Sequence, residues 1–393
     1  MRETVRSVKE ECTGCGACVV ICPKQAITMC PDEEGFLYPK VDQALCISCD
    51  LCEKRCPAGR EYPEYHPLRL AMQNKDEKIR KKSSSGGAFT ALARSVLNQG
   101  GVVFGASFDG TLRVEHVGAF EETELAGMRG SKYVQSDATD AIGNAVSLLK
   151  RDIPVLFSGT PCQISGLLAA LNGKYMDKLL TVDIVCHGVP SPGVFASYLK
   201  ALEKESGKRV TSYTFRDKRL GWKNFSAVAV FEDGTEHAGT QRDEPFLYGF
   251  LQNLYLRPSC HSCTQMRGDH HPSDITLADL WAAEKICGDR DDDTGLSYVT
   301  ANTKKGRKAL EALNLISFPV EQTPEMERYN QGLLCAPVPH KNRKAFFKRY
   351  KTHGFEPEHV MKMLAGPSRT ERVVKRILHL PVGAARRIKK LFD

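Results

Sequence analysis

The chain has 393 residues, a formal net charge of +8 and a 41% hydrophobic composition. Its length suits two or three domains with a sizeable core, and no stretch approaches the roughly 18 apolar residues that a membrane-crossing helix needs, which excludes a helical membrane channel. Fifteen cysteines in a chain this long, behind an opening MRETVRSVKEEC with no apolar signal core, exclude a small secreted disulfide scaffold. They point instead to thiol chemistry in a reducing, cytoplasmic compartment.

Residues 1–60 read as a small ferredoxin-like domain. CTGCGACVVICP and CISCDLCEKRCP each follow C-x2-C-x2-C-x3-C-P, the spacing of paired 4Fe–4S clusters in which the fourth cysteine crosses to the other cube. The spacing predicts one cluster on Cys12, Cys15, Cys18 and Cys56, and a second on Cys46, Cys49, Cys52 and Cys22. Zinc sites favour separated C-x2-C pairs, so a zinc ribbon fits less well. Gly14 and Gly16 would let backbone N–H groups approach the inorganic sulfurs, and Pro23 and Pro57 turn the chain after each crossing cysteine. Between the halves, AITMCPDEEGFLYPKVD reads as a hairpin turning at Gly35, with Cys30 a free thiol. Residues 61–82, rich in Tyr, Pro and charge, read as a linker.

Residues 83–340 read as a larger mixed α/β domain, α+β overall. SSSGGAFTALARSVLNQGG is a helix with a Ser/Gly start and a Gly-Gly stop. VVFGASF and RVEHVGAF are strands, ATDAIGNAVSLLK a helix, IPVLFSG a buried strand, CQISGLLAALNG a helix and LLTVDIVCHG a buried strand. Strands alternating with helices predict a largely parallel sheet covered on both faces. After the helix VFASYLKALEKESG the pattern turns to β, with a hairpin turn at Asp233-Gly234. A helix near PFLYGFLQNLY, the strand DITLADLW and the helix KKGRKALEAL follow.

Several residues in this domain are candidates for chemistry. Cys162 falls at a helix start, where the dipole favours a thiolate, and Cys186 follows the next strand. Both sit at carboxyl ends of strands, where open α/β sheets bind ligands. With Cys260 and Cys263 they offer four thiols for a third cubane, or else two buried small residues and a zinc-type pair. Ser84-Ser85-Gly86-Gly87 at a helix start suits a pyrophosphate, although an ordinary helix cap has the same composition. The loop Gly130-Ser131-Lys132-Tyr133 could hold a flavin, with Lys132 near the ring, or be a plain surface loop. His187 titrates near neutral pH and could supply a proton. Asp279 and Trp281 end a strand, the tryptophan reading as core, and His270 and His271 read as solvated. No G-x-G-x-x-G follows a strand and no P-loop is present.

Residues 341–393 carry fifteen Lys and Arg against four Asp and Glu, a basic helical tail on a near-neutral body. RTERVVKRILHLPVGAARRIKKLFD suits peripheral contact with an anionic membrane inner face, an acidic partner, or plain solvation. It lacks the aromatics of a nucleic-acid binder.

SSSGGAFTALA, VVFGASFD, MRGSKYVQS, VLFSGTPCQISGL, LLTVDIVCHGVPSP, the pair at 260–263 and DITLADLW resemble, in that order, the coenzyme F420 hydrogenase/dehydrogenase beta-subunit family over about residues 65–340. That resemblance implies FAD beside a 4Fe–4S cluster held by the domain's own cysteines, making Cys162, Cys186, Cys260 and Cys263 the expected third ligand set. The candidate flavin-binding residues are then Ser85, Gly86, Gly87, Ser131, Lys132, Tyr133, Gly159 and Thr160, with Lys132 and His187 as catalytic candidates. Members look like subunits passing electrons to a deazaflavin coenzyme, formate dehydrogenase beta subunits and a plant chlorophyllide reductase. The fused N-terminal domain and the basic tail depart from the hydrogenase-associated subunit, so the substrate does not carry over. The expected function is an iron–sulfur flavoprotein oxidoreductase acting between a redox partner protein or ferredoxin and a small organic substrate. The alternative is a non-catalytic subunit relaying electrons to a partner enzyme.

Overall fold

The computed structural model describes residues 9–265 and 268–365. At the N-terminus two short helices, Ala17–Ile21 and Leu51–Lys54, flank an antiparallel hairpin of β1 (Ile27–Pro31) and β2 (Leu37–Val41). The turn is Asp32–Gly35, where Gly35 takes φ +83° and the Asp32 carboxylate accepts from the Glu34 and Phe36 N–H groups.

The next strands are β3 (Leu68–Gln73), β4 (Val102–Phe108), β5 (Val114–Ala119), β6 (Val155–Gly159) and β7 (Leu179–Ile184). A separate antiparallel sheet follows, made of β8 (Val210–Asp217), β9 (Ser226–Phe231) and β10 (Glu236–Thr240). The chain then adds β11 (Ile275–Asp279), β12 (Ser297–Ala301) and β13 (Ile316–Pro319) to the first sheet. That sheet has eight strands in the order β13-β3-β12-β11-β7-β6-β4-β5. Its centre, β4-β6-β7-β11, is parallel, and the four outer strands are antiparallel to their neighbours. The expected largely parallel sheet is therefore mixed, because β5 returns as a hairpin and β12, β3 and β13 extend the other edge.

Alternation along the strands sorts side chains to two faces. Val103 and Leu156 pack with the Ala88–Leu97 helix on one face. Val102, Phe104, Val155 and Phe157 pack with the Thr139–Lys150 and Pro161–Leu171 helices on the other. A third core lies between the small sheet and the helices Pro192–Ser206 and Pro245–Leu251, where Phe195, Tyr213, Phe215 and Phe246 meet edge-on or tilted.

Two expected boundaries shift. The stretch 61–82 is only partly a linker: β3 pairs with β12 and β13, and Glu77–Lys82 is helical with Asp76 as its cap. Of the basic tail, the helices Arg343–His353 and Pro357–Leu364 bury Phe346, Phe347 and Val360 in the third core. The amphipathic run 369–393 lies outside the described residues. Among the described residues no helix is long and apolar enough to cross a membrane.

Candidate functional site

Cys22, Cys46, Cys49 and Cys52 line one concavity, so the last cysteine of the first run joins the first three of the second. Ala26 N–H donates to Cys22 Sγ at 3.3 Å and Ser48 N–H to Cys46 Sγ at 3.5 Å. Cys49 is exposed, so this set opens to solvent. The other four are all half-buried. Burial pushes the Cys15 thiol up to about 12, and Cys162, Cys12 and Cys56 push the same way. Burial and then Cys15, Cys12 and Cys56 likewise raise Cys18.

The third thiol set comes together from four places in the chain. Thr160 caps the Pro161–Leu171 helix, with its N–H donated to the Gln163 side chain at 2.9 Å, and puts Cys162 in the first turn. Cys186 follows β7, and Cys260 and Cys263 lie in and after the Pro258–Ser262 turn. All four line one concavity. The Thr160 hydroxyl lies 3.1 Å from Cys162 Sγ. Gly188 N–H donates to Cys186 Sγ and Val189 N–H to Cys260 Sγ, both at 3.4 Å. Burial raises the Cys162 thiol to about 12 and Cys260 to about 11, and lifts Cys186 well above its ordinary range. Among the described residues no three His, Cys, Asp or Glu side chains converge tightly enough for one metal ion. Zinc would need thiolates about 2.3 Å from a single centre, whereas thiols spread around a shared hollow fit a multi-iron cube, whose irons each take one of them.

The inner N-terminal set and the third set adjoin. Arg257, fully buried, donates from Nε to Cys12 O at 2.7 Å, from Nη1 to the Gln135 side chain at 2.8 Å and from Nη2 to Leu37 O at 3.0 Å. It also lines the third hollow. Gly166, on the Cys162 helix, faces Cys15, whose Sγ would lie 3.1 Å from an added Cβ. Gly14 and Gly16 serve this docking as well. Both have positive φ, and a Cβ would strike Gln135 at Gly14 or Thr139 at Gly16. Close approach of the body explains these glycines without invoking inorganic sulfur.

A polar niche lies at the carboxyl edge of the parallel strands. The Ser84 and Ser131 hydroxyls are 2.7 Å apart, joining the two loops singled out for a flavin. Gly86, however, gives its N–H to Ser297 Oγ at 2.9 Å, and an added Cβ would lie 2.2 Å from Met72 O. Its glycine is demanded by strand packing. Lys132 also differs from expectation: its ammonium is turned onto the carbonyls of Gly127, Arg129 and Gly130 and clasps its own loop. Burial pulls it down to about 7. Gly159 and Thr160 are engaged with Gln163 and Cys162. His187 meets Phe250 edge-on at 5.1 Å, its Nε2 buried without a hydrogen bond, and burial lowers its pKa.

The sequence reading missed Arg216 altogether. It is the penultimate residue of β8, 3% exposed at its side chain, between Phe225 and Trp281. Nη1 pairs with Asp279 Oδ2 at 2.5 Å, and Asp279 Oδ1 accepts from Trp222 Nε1 at 3.2 Å. Nε and Nη2 make no further well-formed hydrogen bond, the Tyr133 hydroxyl being the group within their reach. Tyr133 stands beside it, its hydroxyl raised by burial and pulled back by the guanidinium. The only signal was a charged residue ending a strand. Trp281 stacks on Trp222 at 4.9 Å, as its core reading implied. His271 is a correction: it is 2% exposed rather than solvated, with Nε2 3.0 Å from Gly268 O and Nδ1 3.5 Å from the buried Asp183. Burial lowers its pKa, but the Asp183 carboxylate beside it outweighs that and raises it overall.

Comparison with known proteins finds an iron–sulfur domain at the N-terminus. Residues 11–60 match a 4Fe-4S dicluster domain. Over 51 residues the chain is 39% identical to an uncharacterized ferredoxin of Methanocaldococcus jannaschii, covering 13% of this chain and 65% of that protein. An uncharacterized polyferredoxin-like protein of the same organism is 30% identical over 69 residues, covering 16% of this chain and 41% of its own length. Among solved structures, a chain of the F420-reducing NiFe hydrogenase complex from Methanosarcina barkeri superposes with a TM-score of 0.48 at 18% identity, over 73% of this chain and 91% of that one. Residues 70–142 match the N-terminal region, and residues 154–323 the C terminus, of the coenzyme F420 hydrogenase/dehydrogenase beta subunit. The chain is an iron–sulfur protein that belongs to the coenzyme F420 hydrogenase/dehydrogenase beta-subunit family, with a 4Fe-4S dicluster domain ahead of the family region.

Proposed function

We propose that this chain is an iron–sulfur flavoprotein oxidoreductase, taking electrons from a redox partner protein and exchanging them with a deazaflavin-like or other small organic substrate. The observation that carries the reading is the arrangement of twelve cysteines in three adjoining sets. Cys22, Cys46, Cys49 and Cys52 would hold the outer cubane, at a solvent-open surface. Cys12, Cys15, Cys18 and Cys56 would hold the inner one. Cys162, Cys186, Cys260 and Cys263 would hold the third, within electrostatic reach of Cys15 through Cys162. The N–H groups of Ala26, Ser48, Gly188 and Val189 steady negative charge on the sulfurs that they meet.

The niche around Arg216 fits a flavin better than the loop glycines do. The buried Arg216 guanidinium has donor capacity left beyond Asp279 and Tyr133, and around Gly130 an added Cβ would meet nothing within 4 Å. Ser85, Gly87, Ser131 and Tyr133 would border the cofactor, with Arg216 facing a carbonyl or phosphate oxygen. Bound FAD would supply the conversion between one-electron and two-electron transfer. His187, uncharged at neutral pH because burial lowers its pKa, would accept a proton rather than donate one from a standing imidazolium.

A relay subunit without flavin is the second reading, favoured by the Gly86 N–H already being taken by Ser297. Anaerobic purification with iron and flavin quantified per chain separates them. About twelve irons, at four per cubane, and one FAD that is reduced by dithionite and reoxidised by an added deazaflavin support the enzyme. Iron without flavin, before and after reconstitution with FAD, leaves the relay.

A further inference from the structure

Among the described residues three arginines are buried, Arg80, Arg216 and Arg257. Arg80 pairs with Asp292 and Arg216 with Asp279. Arg257, 0% exposed, has no carboxylate against it. Its hydrogen bonds go to neutral oxygens: Cys12 O, the Gln135 side chain and Leu37 O. Its guanidinium carbon lies over two rings, 4.1 Å from the Tyr38 centroid and 5.5 Å from that of Phe36. A buried cation with no counter-charge is strongly unfavourable. Its position has to be matched by negative charge that no paired Asp or Glu supplies.

Cysteine sets stand on both sides of it. Nε meets the carbonyl of Cys12, in the inner set. Gly14, two residues on, has no side chain to hold the guanidinium off: an added Cβ would lie 2.9 Å from Nη1. The same arginine lines the hollow of Cys162, Cys186, Cys260 and Cys263, as does Thr13 from the inner loop. Its backbone is pinned there too, with its N–H donated to Val189 O at 2.9 Å and its carbonyl accepting from Cys260 N–H at 3.0 Å. Burial dominates the raised Cys162 and Cys260 thiols, and Arg257 pulls both the other way. The outer hollow is lined by other residues.

We propose that Arg257 is the counter-ion shared by the inner and third clusters, and that its fixed charge raises the reduction potentials of both. The inference rests on those two clusters as proposed above. A cubane on four thiolates is an anion, and reduction adds negative charge to it, so a cation held beside it favours the reduced form. Net charge and hydrogen bonding around the sulfurs are among the quantities that set such potentials, and salt screens a buried charge far less than an exposed one. The outer cluster, open to solvent, lacks this charge. Electron occupancy is therefore biased inward, from the surface towards the body. Arg257 itself takes up neither electron nor proton.

The test uses the full chain, reconstituted anaerobically, with Arg257→Gln, which removes the charge, and Arg257→Lys, which keeps it. Redox titration followed by electron paramagnetic resonance gives each cluster's midpoint potential, and the outer cluster is assigned by the change of its signal in Cys49→Ala. We expect Arg257→Gln to weaken reduction of the inner and third clusters about tenfold or more, a fall of about 59 mV for a one-electron couple, with the outer cluster unchanged. Arg257→Lys should lose less than half of that shift. Unchanged potentials in Arg257→Gln overturn the inference. So does an equal fall in Arg257→Lys, which would make the hydrogen bonds rather than the charge responsible, or an equal fall in all three clusters. Persistence of the outer signal shows that the N-terminal unit has folded in each variant. Where Arg257→Gln assembles only the N-terminal pair, the shift is read on the inner cluster alone. A wild type with about eight irons fails the third cluster itself, a result distinct from failure of Arg257 as the tuning charge.

Discussion

His116 shows how burial turns one ring into a liability in acid. Its Nε2 lies 2.9 Å from Ser158 O and its Nδ1 2.9 Å from the Ser136 hydroxyl, so the ring is neutral, donating to the carbonyl and accepting from the serine. It stacks on Phe157 at 5.5 Å. Burial lowers its pKa from 6.5 to about 4, outweighing the hydrogen bond to Ser158 and the Asp137 charge. Between those two values the unfolded chain binds the proton and the folded one does not, so stability falls as pH drops through that window. At about 1.4 kcal/mol per unit, roughly 2 kcal/mol is lost between pH 7 and pH 5. His116→Gln should flatten that part of the profile. Urea midpoints at the two pH values measure it, and an unchanged difference between variant and wild type would show that the ring titrates normally.

At the scale of one element, the Pro161–Leu171 helix does two jobs. Its first turn presents Cys162, and its middle presents Gly166 to Cys15. A Cβ at Gly166 would lie 3.0 Å from Cys15 Cβ, closer than ordinary packing. Gly166→Val therefore forces the helix and the inner cysteine set apart, at a cost of about 1–3 kcal/mol for overpacking. Valine is chosen because alanine would also regain helix propensity of about 0.5–1 kcal/mol and blur the result. The outer cluster's spectrum should be untouched while the inner one shifts. Equal disturbance of both would place the strain elsewhere.

For the whole molecule, the question is what joins the N-terminal unit to the body. Arg257 does so from the inside, and Arg343, bonded to Glu34 and to Leu256 O, does so from the C-terminal helices. Arg257→Met keeps much of the volume but strands the buried Gln135 side-chain oxygen and two partly buried carbonyls, Cys12 O and Leu37 O. Each unsatisfied group costs about 1–3 kcal/mol, so we expect a loss of about 3 kcal/mol in anaerobic urea unfolding. Stopped-flow reduction should also show the N-terminal centres reduced at the normal rate and the body's more slowly. A variant as stable as wild type would mean that the two parts are held by other contacts.

The cysteine crossing was legible because ligand spacing is local: eight thiols within 45 residues can close around two cubes in few ways. The parallel centre of the sheet was legible for the same reason, since each strand's hydrophobic run and the helix after it sit side by side in sequence. What depends on distant pairing was not. β3 lies in an apparent linker because both its partners, β12 and β13, come more than 200 residues later. Arg216 meets Asp279 only because the end of β8 comes to lie beside the end of β11, and Cys335 reaches the third hollow only through the turn that carries it. Local sequence thus determined which cysteines are spaced as cluster ligands and which central segments form strands. Tertiary structure alone decided which buried charges meet and which thiols share a hollow, because burial and proximity between remote segments arise only when the whole chain has closed.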